Sequence, residues 1–121
     1  MRTSKELAHH LAAIADDKRA RNIVILDMQG ISTMADYFII CHGSSEKQVQ
    51  AIAREIKDTA SSEDIGVRRI EGFESARWVL VDLGDVIVHV FHKDDREYYQ
   101  LEKLWGDAPV EYFDGVPEDH E

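Results

Sequence analysis

Trp78 to His92, WVLVDLGDVIVHVFH, is the stretch that decides the fold. Two runs rich in Val and Ile flank Gly84-Asp85, and a glycine in first place suits a two-residue type II′ loop, whose twist matches that of paired antiparallel strands. With Leu83 opposite Val86, the register follows. Val81 faces Val88, Val79 faces Val90, Asp82 faces Ile87, Leu80 faces His89 and Trp78 faces Phe91. One face of this hairpin then carries Val79, Val81, Leu83, Val86, Val88 and Val90, an aliphatic surface suited to packing under helices. The other carries Trp78, Asp82, His89 and Phe91. It reads either as a second apolar layer or as a partner-binding surface, since large aromatics concentrate at the centres of protein interfaces.

Working outward, the chain alternates helical and strand patterns. Thr3 with Glu6 three residues on is a capping-box start, and Leu7, Leu11 and Ile14 fall on one face of a helix ending near Asp17. After the basic linker Lys18 to Arg21, Asn22 to Asp27 reads as a buried strand, and Tyr37 to His42 as a second. Ser45 and Gln48 repeat the capping signal before a helix that runs to about Ser62, with Val49, Ile52, Ala53, Ile56 and Ala60 on its apolar face. Val67 to Glu71 is a short strand whose paired arginines suggest a less buried place in the sheet. After the hairpin, Asp94 or Asp95 caps a third helix with Tyr98, Leu101 and Trp105 on one face, ending near Gly106. The order α-β-β-α-β-β-β-α predicts a two-layer α/β (α+β) domain over residues 1–108. Its mixed five-stranded sheet is covered by helices and includes a parallel β-α-β crossover through the second helix. An acidic tail, residues 109–121, follows, with Tyr112 and Phe113 as its large apolar anchors.

The composition narrows the function classes. At 121 residues the chain suits one domain, and no stretch approaches the roughly 20 apolar residues of a membrane span. The N-terminus is too polar for a signal peptide, and the single cysteine, Cys41, lies in an apolar run. These features point to a reducing, cytoplasmic compartment. Acidic residues outnumber basic ones 24 to 14, for a formal net charge of −10, so a nucleic-acid backbone is repelled and a basic protein partner fits better.

Chemistry has few footholds. His-Gly-Ser-Ser at 42–45, between a strand and a helix, could hold a phosphate on backbone N–H groups, which leaves a nucleotidyltransferase-like or phosphate-ester enzyme as the alternative. The same turn is also what a capped helix needs structurally. Metal-assisted phosphoryl chemistry calls for closely spaced carboxylates, and Glu55 and Asp58 on the second helix lack that spacing. The six histidines show no metal-ligand spacing, and Cys41 in an apolar strand reads as an inert core thiol. Asp82 and His89 share the mixed hairpin face and are expected to be able to pair. No catalytic residue, cofactor or metal site is expected.

Three stretches resemble one family. ADYFIICHGSSEKQV (Ala35 to Val49), EGFESARWVLVDLGDVIVHVFHKDDREYYQLEKLWGDA (Glu71 to Ala108) and, more loosely, IVILDMQG (Ile23 to Gly30) are similar to the ribosomal silencing factors, the RsfS or Iojap-like proteins. The tail after Ala108 lies outside the pattern. The resemblance implies a nucleotidyltransferase-like fold without catalytic activity, commonly as a homodimer. It also implies binding to the large ribosomal subunit through its protein L-fourteen, which blocks subunit joining and represses translation. Carried over by position, it places the partner-binding surface on Trp78, Leu80, Asp82, His89 and Phe91, with Asp85, Tyr99 and Glu102 as further contributors.

Overall fold

A computed structural model of the chain describes residues 3–95 and 108–113. Within them the elements run α1 (Ser4–Asp17), β1 (Arg21–Asp27), β2 (Tyr37–Gly43), α2 (Glu46–Ser62), β3 (Arg69–Glu71), β4 (Trp78–Asp82), β5 (Val86–His92) and β6 (Val110–Tyr112). The expected third helix begins within the described residues at Lys93, so Asp94 and Asp95 lie inside it and do not cap it; His92 precedes it, its Nδ1 accepting from the Asp94 N–H at 3.2 Å. Its Tyr98, Leu101 and Trp105 lie outside the described residues, as do Tyr99 and Glu102.

The β4–β5 hairpin forms in the register read from its alternation, Trp78 opposite Phe91, Leu80 opposite His89 and Val81 opposite Val88. Gly84 alone of the two loop residues has positive φ, +90°, and the Leu83 N–H closes the turn onto the Val86 carbonyl at 3.0 Å. Both helix starts also hold. Thr3 Oγ1 accepts from the Glu6 N–H while Glu6 Oε1 accepts from the Thr3 N–H, and Ser45 Oγ accepts from the Gln48 N–H.

The sheet has six strands in the order β3-β4-β5-β2-β1-β6, one more than expected. The extra strand, β6, comes from the start of the acidic segment and pairs antiparallel with β1, Val24 opposite Tyr112. Its anchor is Phe113, which packs on the helix-side core, whereas Tyr112 is 76% exposed. The parallel neighbour of β2 is β5, not β3. β3 does run in the direction of β2, but it pairs with β4 at the sheet's edge, so the crossover through α2 skips two strands. That edge position suits its exposed Arg69 and Glu71.

Both helices lie on one side of the sheet. Leu11 and Ile14 of α1 and Val49, Ile52 and Ile56 of α2 bury against Ile23, Ile25, Ile39, Cys41 and the aliphatic face of the hairpin. Fully burying a Val or Ile side chain is worth about 1.5–3 kcal/mol, so this layer supplies most of the hydrophobic drive. No helix among the described residues is long and apolar enough to cross a membrane.

Candidate functional site

The side of the sheet away from α1 and α2 is built in rows that the register fixes. One row runs Glu71, Leu80, His89, Ile40, Val24, Tyr112, and its neighbour runs Arg69, Asp82, Ile87, Phe38, Leu26, Val110. The middle of each row is buried. Val24, Leu26, Phe38, Ile40, Ile87 and Phe91 form a second apolar cluster, against which Trp78 and Leu80 pack while only partly buried.

The expected surface therefore divides. Phe91 is 0% exposed and His89 is 5% exposed, so neither presents itself to a partner. Trp78, Leu80 and Asp82 on β4 are half-buried, and Asp85 at the hairpin tip is exposed. The indole of Trp78 stacks on Phe91 with ring centroids 5.1 Å apart and 27° between planes, as their cross-strand pairing directs. Asp85 ties the tip to the sheet by its backbone, since its carbonyl accepts from the Asp36 and Tyr37 N–H groups at 2.8 and 3.2 Å.

Asp82 and His89 do not pair. Asp82 Oδ1 accepts from the Gly84 N–H at 2.9 Å, and its other oxygen lies 3.5 Å from Arg69 Nε on the neighbouring strand. His89 Nδ1 instead lies 3.1 Å from Trp78 Nε1. An indole N–H only donates, so Nδ1 is the acceptor and the neutral ring carries its proton on Nε2. Burial pushes the His89 pKa down to about 4, which keeps the ring in that neutral form near neutral pH. The Nε2 atom has no hydrogen-bond partner among the described residues. The nearest described ring, Phe38, meets the imidazole in a T-shaped contact, 4.9 Å between centroids. Direct cross-strand pairing does not reveal the Trp78–His89 bond. It is a diagonal contact, one that long side chains reach across neighbouring positions, and the register alone contained the signal.

At the 42–45 turn, Gln48 fills the Ser44 donors that an anion would use. Its Oε1 accepts from both the N–H and the Oγ of Ser44, at 2.9 and 2.8 Å, while its Nε2 donates to the carbonyls of Lys18 and Arg19. Gly43 is there for closeness, because a Cβ would sit 3.0 Å from the Val49 nitrogen. The turn thus fastens α2 to β2 and to the end of α1. Sequence reasoning read Gln48 as part of a capping box and missed this wider role. Cys41 is buried in the helix-side core. Among the described residues, no cluster of three or more His, Cys, Asp or Glu side chains is placed to hold a metal ion.

Comparison with known proteins gives this surface a context. The family model described as "ribosomal silencing factor during starvation" matches residues 1–121. The chain belongs to the ribosomal silencing factor (RsfS) family. A protein named ribosomal silencing factor RsfS from Bacillus subtilis is 68% identical over 106 residues, 88% of this chain and 90% of that protein. Its namesake from Halalkalibacterium halodurans is 59% identical over 114 residues, 94% of this chain and 97% of that protein. A Chromobacterium violaceum protein of known crystal structure superposes with a TM-score of 0.84 at 29% identity, covering 99% of this chain and all of its own.

Proposed function

We propose that this chain is a non-catalytic silencing factor. It binds a basic protein of the large ribosomal subunit, L-fourteen, and represses translation by occupying the surface on which the small subunit docks. The observation that carries the reading is the strip Trp78, Leu80 and Asp82, half-buried on β4 above the buried His89 and Phe91. A partly exposed tryptophan seated on a rigid apolar layer is the kind of anchor that dominates interface energetics. Asp82 and Asp85 add negative charge beside it, and the acidic chain as a whole favours a basic protein over bare RNA. Arg69 already faces Asp82, so a partner cation competes with it and the aspartates contribute orientation more than affinity.

Steric occlusion requires no chemistry, and the filled 42–45 turn favours this reading over phosphoryl transfer. The protein is expected to act in the cytoplasm and as a homodimer, with Tyr99 and Glu102 as further contact residues. Sedimentation with separated large subunits tests it. Wild-type protein should co-sediment without nucleotide or metal, and Trp78→Ala, verified as folded by urea unfolding, should bind about 30-fold more weakly or worse. Folded Trp78→Ala that sediments like wild type would move the surface elsewhere, and micromolar binding of a nucleotide with Mg²⁺ would reinstate the enzyme reading.

A further inference from the structure

Resting on that reading of the β4 surface, we propose that His89 is a positioning residue. It touches no partner itself, but by accepting the indole N–H of Trp78 it fixes the orientation in which that tryptophan meets the large subunit.

Three observations converge on the ring. First, the Trp78 indole is held by stacking on Phe91, a contact that restrains its tilt. The Nε1–Nδ1 bond at 3.1 Å adds a directional restraint, because it pins one edge of the indole to a fixed point on the adjacent strand. Second, that point is itself immobile. His89 is 5% exposed, meets Phe38 at 4.9 Å, and lies between Leu80 and Ile40 in its row of the sheet. Third, the arrangement leaves His89 Nε2 buried without a hydrogen-bond partner among the described residues. An aliphatic side chain at this place would avoid that desolvation cost and suit the surrounding cluster better. A histidine retained against its own solvation is explained by what its other nitrogen holds.

The bond also gives the indole a defined polarity. With its N–H donated to His89, the Trp78 indole keeps no hydrogen-bond donor for a partner. The partner group that meets it is accordingly apolar or the face-stacking stem of an arginine or lysine, not a carbonyl seeking an indole donor.

Asparagine and leucine separate this from a purely structural role. They have nearly the same shape, but Asn places Oδ1 where His Nδ1 sits, whereas Leu places a methyl group there. Each variant is assayed for co-sedimentation with isolated large subunits, for stability by urea unfolding, and for the Trp78 indole signal in ¹H–¹⁵N spectra. His89→Leu should be at least as stable as His89→Asn yet bind about tenfold more weakly than wild type, the effect expected from leaving a polar hydrogen unmatched. His89→Asn should bind within about threefold of wild type and keep the shifted, exchange-protected indole N–H that His89→Leu loses. A merely structural histidine gives the reverse ranking, with Leu binding as well as or better than Asn, and that result overturns the proposal. Rapid exchange of the Trp78 indole N–H in folded wild-type protein overturns it without any variant. Failure of wild type to sediment removes the ribosomal reading and this inference together, whereas wild-type sedimentation with an unaffected His89→Leu removes only the inference.

Discussion

On the helix-facing side of the hairpin, Val79, Val81, Leu83, Val86, Val88 and Val90 are all buried, and the residues that bury them come from α1, α2 and the neighbouring strands. On the opposite side burial is graded. It is complete at Phe91, nearly so at His89, and partial one strand outward at Trp78, Leu80 and Asp82. The same register thus serves two ends. The aliphatic side is uniform because it has one task, whereas the other side changes character between adjacent strands as β5 gives way to β4 and the sheet approaches its edge. The proposed binding face is then not an exposed sheet. It is the rim of a buried layer, and under that proposal the buried layer sets the stiffness of what the rim displays.

That comparison breaks most readily at Phe91. If the layer beneath Trp78 is a true core, Phe91→Ala should cost about 3–5 kcal/mol in urea unfolding, since it removes a fully buried aromatic and the ring on which the indole stacks. A loss below about 1 kcal/mol would mean that this side is merely covered, not packed. Val88→Ala on the helix side should cost less, about 1–3 kcal/mol, because fewer atoms leave. A valine substitution that outweighs the phenylalanine one would reverse the order of the two layers. A loss of only a few tenths would show that the helices do not rest on this face.

The contrast also explains what was legible in the sequence. The hairpin register could be read because alternation and the Gly84-Asp85 loop fix it locally, and the limits of α1 and α2 could be read from Thr3 and Ser45. Strand neighbours were another matter. Nothing in Tyr37–Gly43 names Val86–His92 as its parallel partner, because that pairing is made across some fifty residues of chain by side chains whose apolar character fits several orders. β6 was illegible for a different reason. Three residues, Val110–Tyr112, carry no periodicity, and an acidic segment with Tyr112 and Phe113 as its large apolar anchors leaves order and disorder equally open. At the site, sequence separated the two faces of the hairpin but could not grade burial along one of them. It therefore grouped the interior His89 and Phe91 with the displayed Trp78 and Leu80.

β6 repeats the comparison in miniature, and there the expected effect is smallest. Val110 and Tyr112 lie on the open side, 41% and 76% exposed, whereas Glu111 points to the helix side and lies 2.8 Å from His9 Nε2 on α1. The other His9 nitrogen lies 2.9 Å from the Lys5 carbonyl. Both partners only accept, so both contacts are made as hydrogen bonds when the ring carries two protons, and the His9 pKa is raised above its ordinary value of 6.5, first by the Lys5 carbonyl and then by Glu111. Because the folded pKa exceeds the unfolded one, the contribution to stability is complete below about pH 6.5 and is lost as pH rises through the folded value. The His9 and Glu111 side chains are 34% and 53% exposed, so solvent screens the pair and its worth is only about 0.2–0.5 kcal/mol. Urea midpoints of wild type and Glu111→Gln, followed from pH 5.5 to 8.5 at low salt, should differ most at the acid end and converge toward the alkaline end. Taking the difference between the two proteins cancels the titration of every group that Glu111 does not touch and leaves that of His9. A gap that is constant with pH would leave Glu111 as a packing contact and β6 held by its backbone pairing to β1 and by Phe113 alone.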